Sequence, residues 1–206
     1  MNQDLIALPA VPLRGLVAFP YTVLSFEVGR AASLAAVYAA AEGTGEIFLA
    51  AQKDAHLEEP GQGDLYEIGV VAKVRQVVRL QNQMARVLVE GQYRARLIRL
   101  EKEKEHFEAR ILPVEQFLER GERSIAYMRL LLESCRNYAS ISGQIPAETL
   151  LALQEIREPE RLADTIAFNM LKDLEEKQEV LETLDVLARM ERLLSIAQRE
   201  IQIAGI

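Results

Sequence analysis

The sequence predicts an α+β fold in two parts, a β-rich lobe followed by an α-helical bundle. In the first half, apolar and polar residues alternate with a period of two, which is typical of half-buried strands. From Gly121 onward, the apolar residues recur at helical spacing. The composition changes within "VEQFLERGERS", residues 114–124. We therefore expect the β-rich lobe over residues 1–117 and the helical bundle over residues 118–206.

The N-terminal stretch predicts two strands joined by an apolar segment. "LPAVPL" (residues 8–13) is the first strand, and a turn follows at Arg14 and Gly15. A segment broken by Pro20 then leads into a second strand that ends at Gly29. The stretch is not a secretion signal, because no basic residue precedes Arg14 and its prolines would break the helix that a signal needs.

One helix is predicted among the strands. "RAASLAAVYAAAEG" is rich in strong helix formers and ends at Gly43, a residue type that commonly follows a helix. We expect Leu34, Val37 and Tyr38 to face the sheet. The next strand, "IFLAAQ", is apolar throughout, which is typical of a strand covered on both faces.

A long antiparallel hairpin and a last strand complete the β-rich half. Alternating residues begin at Ile68, and the polar link "QNQ" joins them to "ARVLVEGQYRARLI". We expect these residues of the second run to point inward: Val87, Val89, Tyr93, Ala95 and Leu97. We expect these to point outward: Arg86, Glu90, Gln92, Arg94 and Arg96. With the strand "HFEARILP", these elements indicate a small barrel or sandwich sealed by one helix.

The second half contains several amphipathic helices. The first has an apolar stripe of Ile125, Met128, Leu131, Leu132 and Cys135. Pro146 and Pro159 are expected in first helical turns, and Asp173 with Glu176 is a plausible capping box. The last helix has a coiled-coil-like stripe of Leu187, Met190, Leu194, Ala197 and Ile201. This stripe either packs on the preceding helices or continues in a longer chain, and we favour a long helix that continues.

Composition limits the function classes. The formal net charge of -7 disfavours binding to phosphate backbones, so we expect no nucleic-acid partner. The single cysteine, Cys135, indicates a reducing compartment and is expected to be a small core residue. His56 and His106 are the only histidines, which excludes a histidine-rich metal site. No apolar stretch approaches the roughly 18 residues of a spanning helix, so we expect a cytoplasmic protein without a membrane partner.

The sequence contains no recognisable catalytic motif. "EPGQGDLYEIG" lacks the lysine of a phosphate-binding loop, and most carboxylates lie in charge runs typical of solvated helix faces. We therefore predict no catalytic residue and no metal ligand. Arg14 and Glu90 lie in apolar surroundings and are expected to be structural charges, paired with each other or with Glu27 and Arg30.

Five blocks of the sequence resemble, in order, the amino-terminal domain of the ATP-dependent Lon proteases. They are "LPAVPLRGLVAFPYTVLSFEVGRAASLAAV", "IFLAAQKD", "DLYEIGVVAKVRQVVRL", "RVLVEGQYRARL" and the helical stretch that begins at "ISGQIPAETLLALQEI". The resemblance implies a PUA-like β-barrel lobe, then a helical bundle that leads into a long helix. In the family, a AAA+ module that uses ATP and Mg²⁺ and a serine–lysine peptidase follow, and the protein is a homohexamer. The sequence motifs of neither module are present in this chain, so no cofactor is expected in it.

The resemblance also implies a role in protein quality control, in which the domain captures unfolded or damaged proteins and supports oligomer assembly. An apolar surface suits that role, and the candidates to form it are Leu16, Val17, Phe19, Pro20, Tyr21 and Met84. Core packing is the favoured interpretation for Leu16, Val17 and Phe19, whereas exposure and core packing are equally open for Pro20, Tyr21 and Met84, which lie at a turn or a hairpin tip. Two other functions stay open: a stand-alone adaptor or small-ligand-binding protein, and RNA binding by analogy with other PUA-like folds.

Overall fold

A computed structural model describes residues 4–206 of the chain. Packing divides the chain into two compact units between Val114 and Glu115, near the boundary expected after Phe117. The first unit is β-rich and the second is helical. The predicted α+β class is confirmed.

The β-rich unit consists of six strands, one helix and a short 3-10 turn. The strands are β1 (Ile6–Leu13), β2 (Val23–Val28), β3 (Glu46–Ala51), β4 (Ile68–Arg79), β5 (Ala85–Glu103) and β6 (His106–Pro113). Helix α1 spans Ala31–Glu42, and the 3-10 turn spans Gln62–Asp64. The six strands and the helix lie where the alternation and the turn residues predicted them, whereas the 3-10 turn was not predicted.

The strands form one mixed sheet in the order β2-β5-β4-β3-β1-β6. β1 and β3 are parallel, with β2 and α1 between them along the chain, and the remaining neighbours are antiparallel. β5 is 19 residues long and pairs with β2, β4 and β6. Its pairing with β6 closes five strands into a ring and leaves β2 attached at one side.

The interior of the β-rich unit follows the predicted alternation with one exception. Val87, Val89, Ala95 and Leu97 are buried and Tyr93 is half-buried, as expected. Arg94 was expected on the outer face, but it is 1% exposed. The neighbouring residues 68–72 of β4 are buried on both faces, so the outer face of the sheet is covered at this position.

Helix α1 packs mainly against β1 and β6 through small residues. Val37 is fully buried, as predicted, whereas Leu34 and Tyr38 are only half-buried. The alanines at positions 36 and 40 let the helix approach the sheet closely. The ring of Tyr38 instead contacts Arg79, whose guanidinium carbon stands 5.4 Å from the ring centre.

Five helices form the second unit. They are α2 (Glu122–Ser142), α3 (Ala147–Glu155), α4 (Pro159–Met170), α5 (Leu174–Glu182) and α6 (Val186–Ala204). The Asp173 carboxylate accepts the Glu176 N–H at 2.9 Å, so Asp173 caps the helix as predicted. The reciprocal bond of a capping box is not formed, because the Glu176 carboxylate accepts from Arg199. Pro159 begins α4 as expected, whereas Pro146 lies at the residue just before α3.

The helical core differs from the predicted stripes by small rotations. On α2, Ile125 was expected to be buried but is 50% exposed, while Leu131, Cys135 and Tyr138 line the core. On α6, Leu187, Met190 and Ala197 are buried as predicted, whereas Leu194 and Ile201 are only half-buried. Packing of α6 against α2 and α4 fixes these rotations, and it gives the apolar stripe a partner inside the unit. Packing on the preceding helices is therefore observed for the buried residues of this stripe, and the expectation that the helix continues in a longer chain stays a prediction.

Burial raises the pKa of the Cys135 thiol from 9.0 to about 12, in agreement with its predicted role as a core residue. In the part of the chain that the structure describes, no helix combines the length and apolar character needed to span a bilayer.

Candidate functional site

A cavity of about 590 Å³ opens in the β-rich unit and gathers five of the predicted site residues. It lies among the end of β1, the second half of β2, the start of α1 and Met84, the residue before β5. Its lining consists of Val11, Pro12, Leu13, Arg14, Leu16, Phe26, Glu27, Val28, Gly29, Arg30, Ser33, Glu58 and Met84. The sequence singled out Arg14, Leu16, Glu27, Arg30 and Met84.

Leu16 and Met84 give the cavity accessible apolar surface. Both side chains are half-buried, so part of each is open to solvent. Met84 packs over Gly29 at the end of β2. An unbranched thioether can adapt its shape to different contacts, which suits a surface that meets varied partners.

Arg30 organises the polar side of the cavity. Its guanidinium donates to the Pro12 carbonyl and to Gln52 Oε1 at 2.7 Å each, and to the Glu58 carbonyl at 3.3 Å. These bonds connect the end of β1, the segment after β3 and the start of α1. Desolvation of the guanidinium, together with the nearby charge of Arg14, lowers the pKa of Arg30.

The predicted pairing among the four structural charges is wrong. Glu27 pairs with Arg86 at 2.8 Å, because the two residues are directly opposite each other on β2 and β5. Glu90 accepts from Arg75 Nε at 2.8 Å. Arg14 pairs with Glu58 at 3.3 Å, and both side chains are exposed to solvent at the cavity edge, 38% and 76%. Such exposed pairs each contribute less than about 1 kcal/mol, so they do not hold the fold together.

The apolar segment after Arg14 is mostly interior, which removes three residues from the candidates for an apolar binding surface and agrees with the core packing that was favoured for Val17 and Phe19. Phe19 is 0% exposed, Val17 is 4% exposed, and Pro20 is also buried. For these three residues, core packing is the observed arrangement. Their side chains are therefore not available to a partner in this conformation.

Gly91 explains why this segment lies so close to the sheet. A Cβ at position 91 would overlap the carbonyl oxygen of Phe19, so only glycine allows this approach. The Tyr21 N–H donates to the Gly91 carbonyl, and the Gly91 N–H donates to the Thr22 carbonyl, both at 2.9 Å. Tyr21 itself has a φ of 65° and is 40% exposed, but it does not line the cavity.

Two smaller depressions adjoin the cavity and share its residues. One, of about 530 Å³, shares Arg30, Ser33 and Glu58 with it. The other, of about 310 Å³, shares Met84 and includes Tyr38. Arg30 therefore lies where the cavity meets the first depression, and Met84 lies where the cavity meets the second. Glu58 and Gln52 were not predicted from the sequence, because no pattern distinguishes them from ordinary loop residues.

An acidic cluster lies elsewhere in the same unit. Oxygens of Glu101, Glu103 and Glu108 lie within 4.8 Å of one another. Arg99 pairs with Glu101 at 3.0 Å, and Arg110 pairs with Glu108 at 3.2 Å. These arginines offset part of the cluster's charge, and nothing further points to a ligand there.

The chain is similar to proteins of one family over nearly its whole length. The profile described as "ATP-dependent protease La (LON) substrate-binding domain" matches residues 7–199. The chain is 38% identical over 203 residues to a Lon protease of Desulforamulus reducens, covering 98% of this chain and 25% of that protein. It is 36% identical over 196 residues to a Lon protease of Haemophilus influenzae, covering 95% of this chain and 24% of that protein. The chain thus spans about a quarter of the length of the relatives that it matches.

Solved structures share the fold. The N-terminal domain of a Mycobacterium avium complex Lon protease superposes with a TM-score of 0.75 at 21% identity, covering 94% of this chain and 98% of that one. A Lon N-terminal domain protein from Xanthomonas campestris gives a TM-score of 0.59 at 15% identity, covering 92% and 98%. At these identities the likeness establishes the architecture of the chain.

Proposed function

The chain belongs to the family of ATP-dependent protease La (Lon) substrate-binding domains, and on that premise we propose that it captures unfolded or damaged proteins at the cavity of its β-rich unit. The matched family is a substrate-binding domain and not a catalytic one. The observation that supports this location is that Leu16 and Met84, two partly accessible apolar side chains, both line the cavity.

Weak, adaptable contacts suit a receptor for unfolded chains. Unfolded proteins expose apolar side chains in no fixed arrangement, so a small flexible surface binds many of them, each weakly. Several copies in one assembly would raise the effective concentration of binding surfaces and compensate for the weak single contacts. We infer that the longer protein is a homohexamer whose ATPase, with ATP and Mg²⁺, and serine peptidase process the captured chain in the cytoplasm.

A second candidate is a stand-alone adaptor or small-ligand-binding protein. The cavity volume of about 590 Å³ supports it, because sites for small molecules commonly enclose 300–1,000 Å³. A gene that continues past Ile206 into a nucleotide-binding motif would favour the protease. A metabolite that stabilises this chain against heat, with no preference of the chain for unfolded proteins, would favour the alternative.

Binding to an unfolded protein tests the proposed capture. A reduced and carboxymethylated protein that cannot refold is labelled, and its affinity for the chain is measured by fluorescence anisotropy. The double variant Leu16→Ser/Met84→Ser is expected to bind at least about tenfold more weakly, because two apolar contacts are lost. Ile98→Ser is the matched control, since Ile98 is 39% exposed on β5 and does not line the cavity.

Two outcomes would contradict the proposal. The double variant could bind as tightly as the wild-type chain, which would place capture elsewhere. The native, folded form of the labelled protein could bind as well as its unfolded form, which would remove the selectivity that the function requires.

A further inference from the structure

β2 is an edge strand along its whole length. Within residues 4–206, each of the other five strands has a neighbouring strand on both sides over part of its length, because the β5–β6 pairing closes the ring. β2 pairs with β5 alone. Its six residues present about 20 Å of unpaired edge, at roughly 3.4 Å per residue.

The hydrogen bonds at the start of β2 indicate which backbone groups point outward. The Gly91 N–H donates to the Thr22 carbonyl, so Thr22 is a bonded position of the ladder. Bonded and non-bonded positions alternate in an antiparallel pair. From Thr22, the backbone groups of Leu24, Phe26 and Val28 point to β5, whereas those of Val23, Ser25 and Glu27 point to the free edge.

Nothing in the sequence of β2 protects this edge. Natural edge strands commonly carry proline, lysine or inward-pointing charges that prevent another strand from adding. β2 reads "VLSFEV" and contains neither proline nor lysine. Its single charge, Glu27, is bonded to Arg86 on β5, and Val23 is 53% exposed. The edge is therefore open to pairing.

The cavity lies along the second half of this strand. Residues 26–29 form part of its wall, together with Leu16 and Met84. Side chains on one face of an added strand would therefore meet the cavity and its apolar residues Leu16 and Met84, while its backbone would pair with the edge. This combination of backbone pairing with pockets for alternate side chains is typical of peptide recognition by strand addition.

The charges of the cavity favour an acidic residue in the occupant. The two carboxylates of the wall are each bonded to a guanidinium, Glu27 to Arg86 and Glu58 to Arg14. Arg30 bonds only to neutral oxygens, those of Pro12, Gln52 and the Glu58 main chain. Its positive charge therefore has no directly bonded carboxylate.

We propose that the free edge of β2 binds an extended segment of an unfolded polypeptide by strand addition, with alternate apolar side chains in the cavity and a carboxylate near Arg30. The inference rests on the proposed function and specifies how capture occurs. It also explains tolerance of sequence, because the backbone of any extended chain offers the same hydrogen bonds.

The test uses a labelled peptide, acetyl-EVTVTVT-amide, and two N-methylated forms of it. In one form the three valine amides are methylated, and in the other the three threonine amides. Successive backbone amides of a strand point to opposite edges. Strand addition therefore predicts that one form binds the wild-type chain at least about tenfold more weakly than the other. Equal affinity of the two forms would overturn the inference.

A backbone substitution in β2 provides the second measurement. Ser25→Pro removes an N–H that points to the free edge and leaves the bonds to β5 in place, whereas Ser25→Thr keeps that N–H. We expect Ser25→Pro to bind the unmodified peptide at least about tenfold more weakly and Ser25→Thr to bind it normally. The comparison of the N-methylated forms uses the wild-type chain, so it decides the question even if Ser25→Pro does not fold.

The outcomes separate this inference from the proposed function. If the unfolded protein binds through Leu16 and Met84 while both methylated forms bind alike, capture stands and strand addition is overturned. If the unfolded protein does not bind the wild-type chain, both fail. If Ser25→Pro instead abolishes a dimer of the wild-type chain in sedimentation without changing peptide affinity, the edge pairs with a second copy, which also overturns the inference.

Discussion

Two arginines, Arg189 of the helical unit and Arg30 of the β-rich unit, show two different uses of a positive charge. In the helical unit, Arg189 is 0% exposed and bonds to Asp164 at 3.3 Å, to Gln116 at 2.6 Å and to the Thr183 carbonyl at 2.7 Å. In the β-rich unit, Arg30 is half-buried on a cavity wall and bonds to neutral oxygens. The helical arginine satisfies a buried carboxylate, whereas the charge of the other remains accessible to a partner.

The contrast separates a structural charge from one that can also recognise a ligand. A buried ion pair is costly to break, because removing one partner leaves the other desolvated and unpaired. A charge on an open wall retains part of its hydration and can exchange it for a ligand. We therefore expect substitutions in the helical core to change stability, and substitutions at the cavity to change binding.

The largest expected effect is on the buried pair. Arg189→Met removes the guanidinium from the buried Asp164 carboxylate and should lower the free energy of unfolding by about 3–5 kcal/mol. Arg192→Met is the control on the same helix, because its pair with Glu179 is partly exposed and contributes less than about 1 kcal/mol. Urea unfolding followed by the helical circular dichroism signal measures both. Equal losses for the two variants would remove the contrast between buried and open charges.

A smaller effect is expected at the contact that holds the apolar segment on β5. Gly91→Ala places a methyl group against the Phe19 carbonyl and should destabilise the β-rich unit by about 1–3 kcal/mol. Gly63→Ala is the control, because a Cβ there meets no atom within 4 Å. Urea unfolding of each variant measures the difference. If Gly91→Ala were as stable as wild type, the close approach would not be what buries Phe19.

The smallest of the three effects concerns Cys135. Because its pKa is about 12 in the folded chain and near 9.0 when unperturbed, folding favours the protonated thiol. This stabilisation is fully present below pH 9 and is lost as the pH rises toward 12. Raising the pH from 8 to 10 should lower the free energy of unfolding by about 1.3 kcal/mol through this group. Urea unfolding at pH 8 and at pH 10 measures this difference. The free energy of unfolding of Cys135→Ala should fall by correspondingly less over that range, and an identical pH dependence in both chains would contradict the assignment to Cys135.

Alternation and turn residues were sufficient to place the strands. The hairpin link after Arg79, the strand rich in Val87 and Val89, and the helix ending at Gly43 all lie where local patterns indicated. These patterns are local, because a period of two or a terminal glycine depends only on neighbours along the chain. The family resemblance was likewise visible in the order of the blocks.

Burial of individual side chains depended on contacts between distant segments. Phe19 and Arg94 are interior because Gly91 admits a close approach and because β4 is covered on both faces. The choice of Arg86 as the partner of Glu27 depends on the register between β2 and β5. The cavity is lined by residues between positions 11 and 84, and no local sequence pattern predicts that residues so far apart along the chain lie together.

The most direct test of capture at the cavity is chemical-shift mapping on the ¹⁵N-labelled chain. The chain is titrated with the reduced and carboxymethylated protein, and in parallel with the native form of that protein. We expect the unfolded form alone to shift the amide signals of Leu16, residues 26–29 and Met84. Shifts confined to the helical unit, or equal shifts with the native form, would contradict the account.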